Sequence, residues 1–383
     1  MLNITKLKLL HAIRGFAAFY VVIYHAKFIL WSGGSEYAEA YPRADWTPLT
    51  YVLLGLDMLS SAGMQMVIIF FVLSGFFIAY SFAKNKQSFK DFYINRAIRI
   101  YAPYIGSMII GAGILYLIGA FDPALYHVTN NREINTRLIF AYNDLTFSNL
   151  LKSFAFLKDK EYIGCNYAYW SLLYEGMFYL IVPLVVLRPK IYVYASAILF
   201  GIGIAIHRDN FNNGGLSNFI FNFNIHFAIG VFIYNNIEAM KERVIGIKRA
   251  KLYLIGISLA ALIIMIGLRA LGRSQTAANL LADVICGSLI VLFISFDFSH
   301  NLFLAAVKKL GEVSFSLYLV HIPIMLLVYA CIHKLTGTVV IYDHIYPIGV
   351  ICAVLFSFPF YKWVEEPSVK LIRLIKERKK QTA

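Results

Sequence analysis

Residues 63–83 read Gly63-Met-Gln-Met-Val-Ile-Ile-Phe-Phe-Val-Leu-Ser-Gly-Phe-Phe-Ile-Ala-Tyr-Ser-Phe-Ala83, without one charged side chain. A helix needs about 20 such residues to cross the hydrocarbon core of a bilayer. Working outward, comparable runs occur at 10–31, 101–121, 168–187, 191–207, 217–236, 252–271, 276–298, 313–333 and 345–363. The stretch 49–60 reads as a re-entrant or interfacial piece. Of the 383 residues, 60% are hydrophobic and 15% charged, and the mean hydropathy is +0.67. Soluble domains run at about 45–50% apolar and about 25% charged. Disorder, a secreted disulfide scaffold and a soluble Rossmann-type enzyme are excluded. What remains is an all-α integral membrane protein, a bundle of about ten transmembrane helices.

The net charge of +14 lies in short clusters between the apolar runs, which points to membrane orientation and not to a nucleic-acid partner. With the N-terminus inside, most of the 35 Lys and Arg residues fall on the cytoplasmic side, including Lys84 to Arg99, Lys241 to Lys251 and Lys362 to Lys380. Both termini are then expected in the cytoplasm. The first apolar run is too long for a signal peptide and reads as an uncleaved first span. The chain divides into one membrane domain, 1–368, and a basic cytoplasmic tail, 369–383. Cys165, Cys286, Cys331 and Cys352 show neither disulfide nor metal-ligand spacing, so no metal is expected.

Two long outer segments, 32–62 and 122–167, carry mixed charge and aromatics. Tyr37, Tyr41, Trp46, Tyr162 and Tyr169 suit either a sugar-binding surface or an interfacial belt. Leu145, Leu150, Leu151, Phe154 and Leu157 recur at near-helical spacing, which suits an interfacial amphipathic helix or a plain surface loop.

Ionisable groups at membrane depth are costly, and each is a functional hypothesis by default. Arg14 and His25 are eleven residues apart, about three helical turns and about 16 Å of rise, so they share one stripe. Glu175, in Trp170-Ser-Leu-Leu-Tyr-Glu-Gly-Met-Phe-Tyr179, lies about two turns below the outer surface. That depth matches His25, and an imidazole and a carboxylate facing each other would form the minimal apparatus for general-base chemistry. The alternative is a glutamate that only pins two helices. Arg96 and Arg99, an i, i+3 pair at the inner end of the third span, suit phosphate binding or positive-inside anchoring. Ser74-Gly75 permits close helix approach or a backbone contact with a ligand. His321 sits mid-way through the ninth run, and Glu365-Glu366-Pro367 closes the tenth, where a capping or solvated carboxylate is expected.

Taken in order, these motifs resemble the acyltransferase 3 family of multi-span membrane acyltransferases. The resemblance rests on Arg14 and His25, on Phe70 to Phe76, on Arg96 and Arg99, on Trp170 to Tyr179, on Ser316 to His321 and on Glu366-Pro367. It covers about residues 7–368. The proline after Arg99 comes four residues on, and no appended soluble domain is expected, two departures from the commonest pattern. The resemblance implies an O-acyltransferase that moves an acyl group, usually acetyl from acetyl-coenzyme A, to a hydroxyl of a surface or lipid-linked glycan in a bacterial cytoplasmic (inner) membrane. It implies His25 and Glu175 as catalytic, with His25 as general base or transient acyl carrier. Arg14, Arg96 and Arg99 would bind the coenzyme, and Ser74, Trp170, Ser171, Tyr318 and His321 would contact substrate. The competing reading is a transporter or flippase in which the same residues line a route for a lipid-linked or anionic solute; the absence of inverted repeats argues against it.

Overall fold

The computed structural model describes residues 4–30, 42–85, 88–128, 133–207, 215–298, 302–337 and 346–381. Among these residues every regular element is helical. In chain order the helices are α1 (Ile4–Leu30), α2 (Pro48–Leu59), α3 (Gly63–Asn85), α4 (Phe89–Phe121), α5 (Glu133–Asn143), α6 (Phe147–Phe154), α7 (Trp170–Leu180), α8 (Val182–Leu187), α9 (Pro189–His207), α10 (Asn224–Ile245), α11 (Ala250–Ala270), α12 (Gln275–Ser295), α13 (Leu302–Glu312), α14 (Ser314–Thr336), α15 (Tyr346–Phe360) and α16 (Glu366–Gln381). A π-turn over Phe219–Phe223 leads into α10, and another over Tyr361–Glu365 joins α15 to α16.

Nine helical stretches among the described residues are long and apolar enough to cross a membrane. They account for every run read from the sequence except 168–187. That run is broken: α7 ends at Leu180, and Ile181 and Pro183 start the separate helix α8. A proline in the first turn of α8 has no helical N–H to give, so the chain stops and restarts there.

The chain packs as two compact units. One comprises Met1–Val21, Met58–Gln87 and Ser171–Glu312; the other comprises Val22–Asp57, Ser88–Trp170 and Val313–Ala383.

In the first unit α3 is the central element. Phe71 stacks on Phe227 at 4.5 Å, and Phe76 meets Tyr234 edge-on at 5.5 Å, so α3 and α10 run in the same direction. Gln65 Nε2 donates to Asn279 Oδ1 at 2.9 Å and the Cys286 thiol points at the Ile69 carbonyl, which makes α12 parallel to α3 as well. The α3–α10 approach is set by glycine. A Cβ on Gly75 would stand 2.0 Å from the Phe227 carbonyl oxygen, and one on Gly230 would stand 1.9 Å from that of Val72. Such backbone contact is how helices gain packing energy in lipid, where no hydrophobic force drives them together.

In the second unit α14 is the most enclosed element, with Leu317, Leu319, Val320, Ile322, Met325 and Leu326 buried. It packs against α4 and α15. Its first turn is capped from outside: Glu365 Oε2 accepts from the Ser316 amide at 3.1 Å and from the Ser316 hydroxyl at 2.5 Å. A carboxylate there satisfies orphan donors and faces the positive end of the helix dipole. Glu365 is therefore buried and partnered, not solvated. At the other end of α14 the His333 ring pairs with Asp122, Nδ1 to Oδ2 2.6 Å.

The described residues of the segment 122–167 form the α-helices α5 and α6, with 3-10 turns at Pro123–His127 and Ile163–Cys165. Thr146 caps α6, its hydroxyl accepting from the Asn149 amide. This helix faces the protein with Asn149 and Ser153 and turns Phe147 and Leu151 outward, the orientation of a helix lying in an apolar interface. Tyr37 and Tyr41 lie outside the described residues. Tyr162 and Tyr169 are buried at 5% and 0% exposure, so they belong to the interior and not to an outer aromatic surface. The residues read as a basic tail continue as helix α16, which packs on α4.

Candidate functional site

The second unit brings two histidines together. His25, from the outer part of α1, places Nδ1 2.7 Å from Nε2 of His321 on α14. Their ring planes are 9° apart. His321 Nδ1 in turn lies 3.1 Å from the Leu317 carbonyl oxygen, one turn back on its own helix. A carbonyl only accepts, so His321 Nδ1 carries the proton, and in the neutral ring its Nε2 is left as acceptor. His25 must then donate from Nδ1. The lone pair of His25 is consequently placed on Nε2, the nitrogen turned away from its partner. This chain fixes tautomer and ring orientation together, as a hydrogen bond to the second ring nitrogen does for a working histidine.

A short loop closes over the pair. Asn166 Nδ2 donates to the Leu319 carbonyl at 2.6 Å, and the Tyr318 hydroxyl donates to the Ala168 carbonyl at 2.7 Å. These bonds staple residues 166–168 onto α14. Gly164, with φ at +78°, presses on Gly111 of α4, where a Cβ would meet the Gly111 Cα at 2.7 Å. The backbone there admits only glycine for both reasons, conformation and space. The loop carries Tyr167 edge-on to His25, ring centroids 5.1 Å apart. Burial pushes the Tyr167 hydroxyl well up from its ordinary range, so it stays protonated. That hydroxyl is enclosed and meets no hydrogen-bond partner among the described residues.

Arg137 of α5 covers the other side of Tyr167, its guanidinium carbon 5.2 Å from the ring centroid. It is held by two carboxylates: Nη1 to Glu161 Oε1 at 2.5 Å and Nε to Glu133 Oε1 at 2.9 Å. Burial raises the Glu161 carboxyl, against the pull of Lys158 and Arg137. Two residues beyond His25, Lys27 is buried and donates to the Asp57 carbonyl at 2.7 Å and to its side chain.

The other residues read from the sequence sit as follows. Glu175 of α7 accepts from Ser74 of α3 at 3.2 Å and from the Tyr179 hydroxyl, so Ser74 is a partner of that carboxylate. Trp170 and Ser171 open α7, and Ser171 is buried. Arg14 lies half-buried on α1 with its guanidinium 5.9 Å from the Phe70 ring. Arg96 and Arg99 are half-buried near the start of α4, Arg96 over the Phe92 ring at 5.5 Å. Tyr318 acts in the staple just described.

Sequence reasoning missed Asn166 and Tyr167, which lie in a short loop, and Arg137, which lies on a short polar helix within an outer segment. It also passed over a buried pair in the first unit: His226 Nδ1 lies 2.9 Å from both oxygens of Asp283. Asp283 interrupts an otherwise apolar run, the criterion that picked out Glu175.

Against this geometry the comparison with known families is decisive. A family model described as an acyltransferase domain, of the acyltransferase 3 type, matches residues 8–362. The chain belongs to the acyltransferase 3 family. That assignment makes it a membrane acyltransferase and places the His25–His321 pair, the Ser74–Glu175 contact and the Arg14, Arg96 and Arg99 side chains all within the matched region. No curated protein and no solved structure matches it.

Proposed function

We propose that the protein is an O-acyltransferase that moves an acetyl group from cytoplasmic acetyl-coenzyme A to a hydroxyl of a cell-surface or lipid-linked glycan. The single observation that carries the reading is the Leu317–His321–His25 chain, which leaves His25 Nε2 as a free, oriented base. In the reaction the acceptor oxygen forms a bond to the acyl carbon while its proton passes to His25 Nε2. The carbon–sulfur bond then breaks, and the thiolate leaves with the proton that His25 held. His321 acts as positioning residue for this base. Glu175 of the first unit, held by Ser74 and Tyr179, is proposed as a second catalytic group.

Sidedness follows from where the charges lie. Arg96 and Arg99 lie near the start of α4, which the basic clusters assign to the cytoplasm, where coenzyme phosphates would be, and Arg14 lies deeper, ten residues into α1 from the same end. On the continuous helix α1, His25 stands about 16 Å farther from that end than Arg14, comparable with the reach of a pantetheine arm. The acceptor enters from the opposite face.

A count of ten crossings, with both termini cytoplasmic, gains support from helix direction. Because α3 and α10 run parallel, an odd number of crossings must separate them. Helices α4 and α9 supply two. The broken pair α7–α8 supplies the third, although neither half could cross alone.

The test is direct. Detergent-purified protein given acetyl-coenzyme A releases free coenzyme thiol when a glycan acceptor is added, and surface glycans lose their acetyl groups when the protein is absent. A protein that neither transfers nor hydrolyses, but moves a solute across vesicles, would overturn the reading.

A further inference from the structure

In the first unit the parallel helices α3 and α10 each present a tyrosine followed one turn later by a charge: Tyr80 and Lys84 on α3, Tyr234 and Glu238 on α10. The i, i+4 spacing puts each pair on one helix face. These four side chains, with Asn235 and Asn236 among others, line a cavity of about 570 Å³, within the range of small-ligand sites, about 300–1,000 Å³. Tyr80 and Tyr234 meet with ring centroids 6.2 Å apart and planes at 74°. Lys84 Nζ donates to the Tyr80 hydroxyl at 3.1 Å and keeps further N–H donors for an anion. Asn236 Nδ2 donates to the Phe232 carbonyl at 2.8 Å, which leaves its side-chain oxygen to accept. The cavity lies at headgroup level, since Lys84 stands about 31 Å along α3 from Gly63 and a hydrocarbon core is about 30 Å thick. Lys84, Asn235, Asn236 and Glu238 are exposed. One turn before Asn236 on α10, towards the hydrocarbon, Phe232 is exposed at 44%.

We propose that this cavity binds the headgroup of a phosphatidylethanolamine from the adjacent leaflet, its phosphate on Lys84 and its ammonium against Tyr234, Glu238 and the Asn236 side-chain oxygen. The inference is independent of the acyl-transfer reading. The pairing of charges selects the ligand. A bare anion would meet Lys84 but also the Glu238 carboxylate, which repels it. A phosphate and an ammonium joined by a short chain give each wall its opposite charge. The aromatic walls divide in the same way. Lys84 already stands 5.5 Å from the Tyr80 ring, so Tyr234 is the ring that serves a ligand cation. A primary ammonium brings three N–H donors to the oxygens of Glu238 and Asn236, whereas a choline headgroup brings none. The depth selects a lipid over a soluble amine phosphate: polar groups line the cavity at headgroup level, and the exposed Phe232 ring lies where an acyl chain would run. On the orientation proposed above, this leaflet is the cytoplasmic one. A lipid held here ties together the ends of α3 and α10, beyond the contacts made by Gly75 and Gly230.

Native mass spectrometry of the full chain in detergent tests this, with phosphatidylethanolamine, phosphatidylcholine and phosphatidylglycerol added in equal amounts. The wild-type protein should retain phosphatidylethanolamine over either competitor by about tenfold, the worth of one charge-assisted contact. Glu238→Gln should erase the preference over phosphatidylglycerol. Lys84→Ala should lower retention of phosphatidylethanolamine about tenfold, and Tyr234→Leu should lower it as well. Lys84 and Glu238 are exposed, so the fold tolerates both of these substitutions. Free O-phosphoethanolamine at the lipid's own concentration should not displace it. Retention without preference in the wild type, or a preference unchanged in both Lys84→Ala and Glu238→Gln, would overturn the site. Displacement by free O-phosphoethanolamine at equal concentration would overturn the lipid as its occupant.

Discussion

His25 and His321 share one hydrogen bond, Nδ1 to Nε2 at 2.7 Å, although 296 residues separate them in the chain. The direction of that bond is dictated from below, by the Leu317 carbonyl on which His321 Nδ1 rests. A histidine on α1 thus has its tautomer set by the backbone of α14. Removing the imidazole of His25 should abolish transfer while leaving the fold intact, since the side chain is half-buried and its loss opens space at a polar site. We expect His25→Ala to lower the transfer rate by about 10²–10⁴-fold, measured as acetyl incorporated into acceptor, with unchanged thermal unfolding. Wild-type acylation in this variant would remove the base from the mechanism.

His321 can be separated from His25 by its kinetic signature. His321→Asn keeps a polar side chain but loses the ring nitrogen that accepts from His25. We expect kcat to fall by about 10²-fold with the KM for acetyl-coenzyme A unchanged, because a positioning residue serves the transition state and not donor binding. The pH–rate profile should also change, its acid limb moving because that limb reports the proton uptake of His25. A residue that only packs would lower the amount of folded protein and leave the profile where it is.

The fold was legible where physics is local. Runs such as 63–83 and 313–333 announce spanning helices because lipid sets their length, and Arg14, His25 and Glu175 stood out because ionisable groups are rare at that depth. What could not be read was pairing. Nothing in the sequence says that α14 faces α1, so His321 was visible as a residue but not as the partner of His25. The break at Ile181 was overlooked because hydropathy averages across Pro183, the residue that causes it. Glu365 looked like an exposed carboxylate at a helix end, and only the packing of the π-turn beside α14 makes it the cap of another helix. Tyr167 depends on a loop held by Gly164, and loop geometry leaves little periodic trace, while Arg137 reaches Tyr167 from helix α5 by a long-range contact that the sequence does not show.

Donor binding should separate from chemistry at the arginines. Arg14→Ala and Arg99→Ala each remove a guanidinium suited to phosphate. We expect coenzyme A affinity to drop by about tenfold in each, with acceptor binding unchanged. The measurement is calorimetric titration of the two variants beside the wild type. Full affinity in both would move the donor away from Arg14 and from the start of α4.

The glycine contact between α3 and α10 gives a stability prediction. At Gly230 an added methyl would stand 1.9 Å from the Val72 carbonyl oxygen, which is backbone and cannot rotate aside. Gly230→Ala should therefore destabilise the first unit by about 1–3 kcal/mol or more through overpacking. Gly113→Ala is the control, since a Cβ there meets nothing within 4 Å and alanine is the better helix former. Thermal unfolding in detergent should rank Gly113→Ala at or above wild type and Gly230→Ala well below it. The reverse order would mean that the two helices do not cross at these residues.

Topology offers the last test, because it turns on a segment that hydropathy alone misjudges. Parallel α3 and α10 require an odd number of crossings between them, so α7 and α8 must together carry the chain from the outer face to the inner one. If they do, Lys190, at the start of α9, faces the cytoplasm, while Phe147 on α6, exposed at 74%, faces outward. Single cysteines at these two positions, in a background with Cys331→Ser and Cys352→Ser, report the side directly. Cys165 and Cys286 are buried and can stay. An impermeant maleimide applied to intact cells should label Phe147→Cys and spare Lys190→Cys until the membrane is opened. Labelling of both positions from outside would mean that α7–α8 dips into the membrane and returns. The directions of α9 and every later helix would then reverse, and α10 could no longer lie parallel to α3, as the ring pairs Phe71–Phe227 and Phe76–Tyr234 require.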